Sequence, residues 1–162
     1  MRRPSLQELY RAHSPGALRL AYLLVGDPDS AADVVQDAFV RLFGRYRELR
    51  DAEHFEAYLR KTVVNLAKDH HRRKRTERAY LERHAPEPAR TSPADPDQGL
   101  HAALLQLPER QRAAIALRYL EDLSEQQTAD AMDTTVAAVK SLTQRASAAL
   151  RRHLEGEEPW TS

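Results

Sequence analysis

The sequence predicts an all-α protein: two small helical domains joined by a flexible linker. The composition favours helices, since aromatic residues make up only 6% of the chain and no run of consecutive β-branched residues suggests a strand. A proline-rich stretch near the middle separates two helical halves. With 41% apolar and 30% charged residues among 162, a packed core is expected and gross disorder is not.

The first domain, residues 1–75, contains a clear helix in GDPDSAADVVQDAFVRLFGRY. Asp27 can cap this helix, Pro28 suits its first position, and Gly44 is a typical stop. Its apolar residues repeat at helical spacing and form one stripe: Val34, Val35, Ala38, Phe39, Leu42 and Phe43. A second helix follows and ends in a basic run; its inward residues are predicted to be Phe55, Leu59, Thr62, Val63, Leu66 and Ala67.

Residues 76–99 are assigned to the linker. The stretch PEPARTSPADPDQG contains four prolines and no helical apolar stripe. As a flexible coil such a linker spans roughly 25–30 Å on average, and roughly 80 Å at full extension. The linker therefore allows the two domains to lie well apart from each other.

The second domain, residues 100–154, is predicted to contain three helices, followed by an acidic tail at 155–162 that has no assigned function. Pro108 opens the first helix. Ser124 and Gln127 form a capping box that opens the second, and Thr135 can cap the third, which runs to about Leu154. Two short helices joined by a tight turn are typical of a helix-turn-helix.

Charge divides the predicted helix-turn-helix into two parts. Residues 121–133 contain five acids and no base, whereas residues 136–152 contain Lys140, Arg145, Arg151 and Arg152 and no acid. A solvated helix is the simpler interpretation of such a face. The capping box, the short turn and small polar residues that can reach base edges favour DNA contact; those residues are Thr135, Ser141, Thr143 and Gln144.

The run NLAKDHHRRKR raises the alternative of a metal-dependent phosphoesterase, since Asp69, His70 and His71 are adjacent. On a helix, adjacent side chains point about 100° apart and cannot converge on one ion. No metal, cofactor or catalytic residue is therefore predicted. Six cations remain between positions 68 and 78, and they favour contact with phosphates over a merely solubilising helix end: Lys68, Arg72, Arg73, Lys74, Arg75 and Arg78.

Several classes of protein are disfavoured by composition. The chain has no cysteine, which excludes disulfides and Cys-ligated metal centres. Its N-terminal residues lack the apolar region of a secretory signal, and its longest apolar stretch is too short to span a bilayer. We therefore expect a soluble cytoplasmic protein with no membrane insertion and no small-molecule substrate.

Three motifs in this order around a linker resemble the bacterial extracytoplasmic-function (ECF) sigma factors, the promoter-specificity subunits of RNA polymerase. DSAADVVQDAFVRLF is similar to region 2.2 of that family, and FEAYLRKTVVNLAKDHHRRKR to regions 2.3 and 2.4. LLQLPERQRAAIALRYLEDLSEQQTADAMDTTVAAVKSLTQRASAALRR resembles region 4. The resemblance covers nearly the whole chain and implies a non-enzymatic factor that binds core polymerase and recognises the −10 and −35 promoter elements.

The resemblance also implies roles for individual residues. The β′ clamp helices of the polymerase would be bound by Asp33, Val35, Gln36, Asp37, Phe39 and Arg41, although Val35 and Phe39 equally fit the core. The −10 element would be held by Asn65, Lys68, Asp69, Arg72, Arg73 and Arg75, with the melted strand at the loop 47–53. The −35 element would be contacted by Arg118, Thr135, Lys140, Ser141, Gln144 and Arg145.

The chain departs from the family pattern at two positions of the helix-turn-helix. Asp133 stands in the turn where Gly is usual, and Asp tolerates a left-handed backbone better than most residues do. Leu142 replaces a cation that is common on the recognition helix. Promoter preference therefore cannot be copied from other members.

The partners that the resemblance implies are core RNA polymerase (its β′ clamp helices and β flap) and promoter DNA, and an anti-sigma factor is common in the family. Two rival functions remain open. One is a helix-turn-helix repressor or activator, which explains residues 100–154 but leaves the acidic-faced helix and the first basic helix without a role. The other is a metal-dependent nuclease that uses Asp69, His70 and His71.

Overall fold

The computed structural model describes residues 2–46, 52–84 and 99–156, and within these ranges every regular element is a helix. The all-α prediction is confirmed. The seven helices are α1 (Leu6–Val25), α2 (Pro28–Gly44), α3 (Ala52–His84), α4 (Gly99–Gln106), α5 (Glu109–Ile115), α6 (Glu125–Met132) and α7 (Val136–Gly156). Residues 47–51 of the predicted strand-capture loop, residues 85–98 of the predicted linker and the tail beyond 156 lie outside the described residues.

Helices α1, α2 and α3 form the first half and pack against one another around an apolar core. The side chain of Asp27 accepts a hydrogen bond from the backbone N–H of Ser30 at 2.8 Å, which confirms the predicted cap of α2. The apolar stripe of α2 faces α1 and α3, and Phe55 and Val63 of α3 are fully buried beneath it. Burial of this stripe stabilises the three-helix arrangement.

Helix α3 continues to His84, well into the range that the sequence assigns to the linker. Residues 76–84 read TERAYLERH, which contains neither glycine nor proline, and Pro86 is the first proline that follows. Because Glu, Arg, Ala and Leu favour helices, nothing stops the helix at residue 75.

Helices α4 to α7 form the second half. The sequence did not predict α4 as a separate helix, and α5 runs on into a π-helical segment, Ala116–Leu120. The capping box that opens α6 is confirmed by reciprocal bonds between Ser124 and Gln127. Asp133 ends α6 in the left-handed conformation (φ 54°, ψ 52°), and the Thr135 hydroxyl caps α7 by accepting the N–H of Ala138 at 3.1 Å.

The two halves are packed together. One apolar cluster joins residues of both, since Leu24, Val63 and Ala67 of the first half belong to it together with Leu117 and Met132 of the second. Contacts run between α3 and α6 and between α1 and α4. The structure is therefore a closed arrangement of two domains.

Candidate polymerase and nucleic-acid interfaces

The outer face of α2 is acidic and open to solvent. Asp33, Gln36, Asp37 and Arg41 are all exposed there, as their position opposite the apolar stripe predicts. Val40 lies on this same face with 66% of its surface exposed. Val40 was not among the predicted contacts, although its position one helical turn beyond Gln36 and Asp37 is the signal that places it on this face.

Val35 and Phe39 have a different environment. Their exposed fractions are 4% and 2%, and both belong to the apolar cluster that the two halves share. The Phe39 ring lies 4.9 Å from the ring of Tyr10 and 5.5 Å from that of Phe43, measured between centroids. These two side chains therefore pack the core, and the structure does not place them on the outer face with the four polar residues.

The basic face of α3 carries the residues assigned to the −10 element. Asn65, Lys68, Arg72 and Arg73 are exposed. Asp69 is half-buried and lies 3.9 Å from the Arg72 guanidinium, and Arg75 forms a 3.0 Å ion pair with Glu109 of α5. One end of this face thus contacts the second half of the chain.

A small cavity of about 120 Å³ lies between the basic face of α3 and the helix-turn-helix. Asn65, Lys68 and His71 line it from α3, while Met132 and Asp133 line it from the end of α6. The residues that the family resemblance assigns to the −10 element therefore face the turn of the helix-turn-helix in the closed arrangement.

Helix α7 presents its polar residues outward. Thr135, Lys140, Gln144 and Arg145 are exposed and Ser141 is half-buried, whereas Val139 on the inner face is fully buried. This is the arrangement that a recognition helix requires, because base edges in a major groove are reached from one exposed helix face.

Two residues considered for DNA contact are engaged within the chain. Thr143 is buried, and its hydroxyl donates to the Val139 carbonyl at 3.0 Å, so it does not face a groove. Arg118 is half-buried, donates to the Leu123 carbonyl, and lies 5.3 Å above the Tyr119 ring. In the closed arrangement Arg118 therefore closes the loop that follows the π-helical segment.

Arg112 was not among the predicted functional residues, and it is the most buried charged side chain in the described part of the chain, with an exposed fraction of 7%. It donates to the Leu24 carbonyl at 2.7 Å and to the Leu107 carbonyl at 3.2 Å. The Nε2 atom of His71 lies 2.7 Å from the same Leu24 carbonyl, and burial is the main cause that lowers the pKa of this imidazole. No local sequence signal indicates a contact between residues so far apart in the chain.

Asp69, His70 and His71 point in different directions. The two imidazole centroids are 5.8 Å apart, His71 is bonded to the end of α1, and Asp69 lies beside Arg72. Across residues 2–46, 52–84 and 99–156, no three His, Asp or Glu side chains are grouped so that they could hold a metal ion. In those same ranges, no helix has both the length and the apolar character needed to cross a membrane.

The two helical halves, one with a helix-turn-helix and one with a basic helix beside an acidic face, define a DNA-binding protein that also offers a protein-docking surface. Residues 9–77 match the family model described as Sigma-70 region 2, and residues 97–150 match Sigma-70, region 4. The chain therefore belongs to the ECF RNA polymerase sigma factors, transcription initiation factors that bind the polymerase core and promoter DNA.

Curated relatives cover nearly the whole chain. It is 35% identical over 155 residues to the RNA polymerase sigma-E factor of Streptomyces coelicolor, which covers 91% of this chain and 85% of that protein. It is 28% identical to the RNA polymerase sigma factor SigV of Bacillus subtilis, with 90% of this chain and 89% of that protein covered.

Solved structures show the same fold. The sigma factor RpoE of Bartonella quintana, in complex with the anti-sigma factor NepR, has a TM-score of 0.76 and 22% identity, and the match covers 94% of this chain and 98% of that one. CnrH in complex with the cytosolic domain of CnrY has a TM-score of 0.70 and 23% identity, with 94% and 89% covered.

Proposed function

We propose that this sigma factor uses three exposed surfaces, one for each of its contacts. The outer face of α2 binds the β′ clamp helices, the basic face of α3 holds the −10 element, and the outer face of α7 reads the −35 element. The assignment rests on one observation. Most of the side chains that the family motifs assign to these contacts are exposed, and they lie on three separate helices, α2, α3 and α7.

The core-binding surface consists of polar residues around one apolar residue. We define it as Asp33, Gln36, Asp37, Val40 and Arg41, which leaves out the buried Val35 and Phe39. Acidic side chains steer association with a basic partner surface, and an exposed apolar residue at the centre supplies contact area that becomes buried. Such a surface fits a long-lived protein partner better than it fits a nucleic acid, because nucleic acids repel acidic groups.

The two DNA-binding helices divide promoter recognition between duplex and opened strand. Lys140, Ser141, Gln144 and Arg145 of α7 have the lengths and hydrogen-bonding groups needed to contact phosphates and base edges of duplex DNA. On α3, Asn65 offers both a donor and an acceptor to an unstacked base, and the cations that follow it neutralise the backbone. The chain carries out no bond-making chemistry in this scheme.

An anti-sigma factor is the further partner that we propose. Support comes from a solved structure of the same fold, the sigma factor RpoE, which was captured in complex with the anti-sigma factor NepR. The cytoplasmic domain of a candidate encoded beside this gene should block transcription when it is added to an assay with this sigma factor.

Run-off transcription tests the proposed function directly. Core polymerase alone should give no discrete transcripts from genomic templates of the source organism, and core polymerase with this protein should give promoter-dependent ones. A helix-turn-helix repressor would instead bind duplex DNA tightly without polymerase and give no transcript. The absence of any promoter-dependent transcript across those templates would overturn the proposed function.

Truncation of the α7 cations should weaken promoter binding in a salt-dependent way. We expect Lys140→Ala and Arg145→Ala each to reduce the slope of log binding constant against log salt by about 0.9 if the cation contacts a phosphate. If instead the cation contacts a base edge, the loss should be confined to one promoter position and amount to about 1–3 kcal/mol. Fluorescence anisotropy of the holoenzyme on an active promoter measures both.

Arg11→Ala is the matched control, since Arg11 is an exposed cation of α1 that lies on neither DNA-binding helix. It should leave the slope and the promoter preference unchanged. If Lys140→Ala and Arg145→Ala behave like this control, α7 is not the recognition helix.

A further inference from the structure

The end of α1 is where the two halves of the chain are joined by specific polar contacts. The Leu24 carbonyl belongs to the last turn of α1, where carbonyl groups have no partner within the helix. It accepts one hydrogen bond from Arg112 of α5 and another from His71 of α3, each at 2.7 Å. Because a carbonyl oxygen only accepts, the hydrogen of the His71 ring must lie on Nε2.

Arg112 connects the halves through one guanidinium group. Besides the Leu24 carbonyl, Arg112 donates to the Leu107 carbonyl, which lies just before α5. A single side chain of the second half therefore binds the backbone of both halves. A buried charge is stable only while its hydrogen bonds persist. Within the described residues its Nε has no partner, so the group is held firmly but not completely satisfied.

The surfaces around this carbonyl fit each other closely. Gly26 caps α1 at φ 81°, and a Cβ atom at this position would lie 2.8 Å from a methyl group of Leu105. The ring of His101 in α4 stacks on that of Tyr22 in α1 with 4.4 Å between centroids. Leu105 of the second half therefore occupies the space that a side chain at position 26 would need.

Charged residues of the two halves also meet at two more places. Arg75 and Glu109 form an ion pair at 3.0 Å between α3 and α5. Beyond the π-helical segment, Glu121 is half-buried, and although Arg60 and Arg19 of the first half act to lower its pKa, burial raises it overall. Polar contacts thus surround the shared apolar cluster.

The closed arrangement is too short for a promoter. A compact chain of this length has a radius of gyration of about 15 Å and is therefore about 40 Å across. Two elements separated by about two helical turns of DNA lie roughly 70 Å apart. Helices α3 and α7 cannot reach both elements while the halves are docked.

We propose that Arg112 and His71, bonded to the Leu24 carbonyl, form an intramolecular latch that keeps the free chain closed, and that the latch must release before the sigma factor spans a promoter. The promoter part of this inference rests on the proposed function, whereas the closed state of the free chain does not. Part of the free energy of binding to core polymerase is then used to open the chain. Any variant that weakens the latch therefore raises the apparent affinity of the sigma factor for core polymerase.

Small-angle X-ray scattering of the free full-length chain tests the latch without polymerase or DNA. The unmodified protein should have a radius of gyration of about 15 Å. Arg112→Gln and, independently, Gly26→Ala should raise it above about 20 Å, as expected for two separate domains on a tether. The matched controls are Arg11→Gln and Gly16→Ala; Gly16 lies inside α1, and a Cβ there would approach nothing closer than 3.6 Å.

Core-polymerase affinity distinguishes release of the latch from simple damage. Opened variants should bind core about tenfold more tightly, because the population competent to bind is larger, whereas a damaged fold would bind more weakly. Circular dichroism shows whether the helices persist. The latch would be overturned if the unmodified chain is extended in solution. It would also be overturned if Arg112→Gln and Gly26→Ala stay helical but keep the radius of gyration of the unmodified chain, or bind core polymerase no more tightly than that chain does. A failed run-off assay would leave the scattering result unchanged.

Discussion

Replacement of Phe39 by alanine should lower the free energy of unfolding by about 3–5 kcal/mol, the usual range for removing a buried aromatic side chain. Phe39 has an exposed fraction of 2%, and its ring is surrounded by those of Tyr10, Phe43 and Phe55 at 4.9, 5.5 and 6.1 Å. The variant loses both the burial of the ring and the aromatic contacts. Urea denaturation followed by circular dichroism measures the change as a lower midpoint.

Val40→Ala is the matched control on the same helix. With 66% of its surface exposed, Val40 should contribute within about 0.5 kcal/mol to folding. The same variant should weaken binding to core polymerase, which Phe39→Ala should do only through lost stability. If Phe39→Ala lowers the free energy of unfolding by less than about 1 kcal/mol, Phe39 is not a core residue and a direct contact with the polymerase becomes the better interpretation.

Reversal of both acids on the outer face of α2 should disrupt the polymerase complex. We expect Asp33→Arg with Asp37→Arg to reduce the affinity for core polymerase by about two orders of magnitude, since charge pairs at interfaces contribute roughly 2–5 kcal/mol and like charges repel. Both residues are exposed, so the unfolding midpoint should not change. Titration of labelled sigma factor with core enzyme at two salt concentrations measures the affinity and its electrostatic part.

Glu77→Arg with Glu82→Arg makes the same change of charge on an exposed stretch of α3. This pair should leave core binding nearly unaffected. If the two double variants weaken binding equally, net charge rather than the α2 surface controls the association. If the Asp33 and Asp37 variant loses helical signal, those acids are structural.

Local features were predictable because their partners lie close in sequence. The caps at Asp27, Ser124 and Thr135 each involve a residue three positions ahead, and all three are present as expected. The left-handed Asp133 was likewise indicated by its place in the turn. The apolar stripe of α2 was recognised from its spacing, and the outward face followed from it.

Features that depend on distant residues were not predictable. Arg112 and Leu24 are 88 positions apart, and nothing near either residue indicates that the halves dock. The sequence predicts two domains joined by a flexible linker and leaves their relative orientation open, whereas in the structure apolar residues of both halves share one cluster. The burial of Thr143 and the hydrogen bond from Arg118 to the Leu123 carbonyl arise within the second half, and spacing alone does not reveal either of them.

The length of α3 gives the chain a property that a linker alone could not. Residues 76–84 extend α3 as a stiff arm that rises 1.5 Å per residue. The connection to the second half therefore departs from a point away from the first half. Each residue added within residues 76–84 would turn that departure point by about 100°, whereas one added after His84 would only lengthen the reach. The arm therefore sets the side of α3 from which the connection to the second half departs.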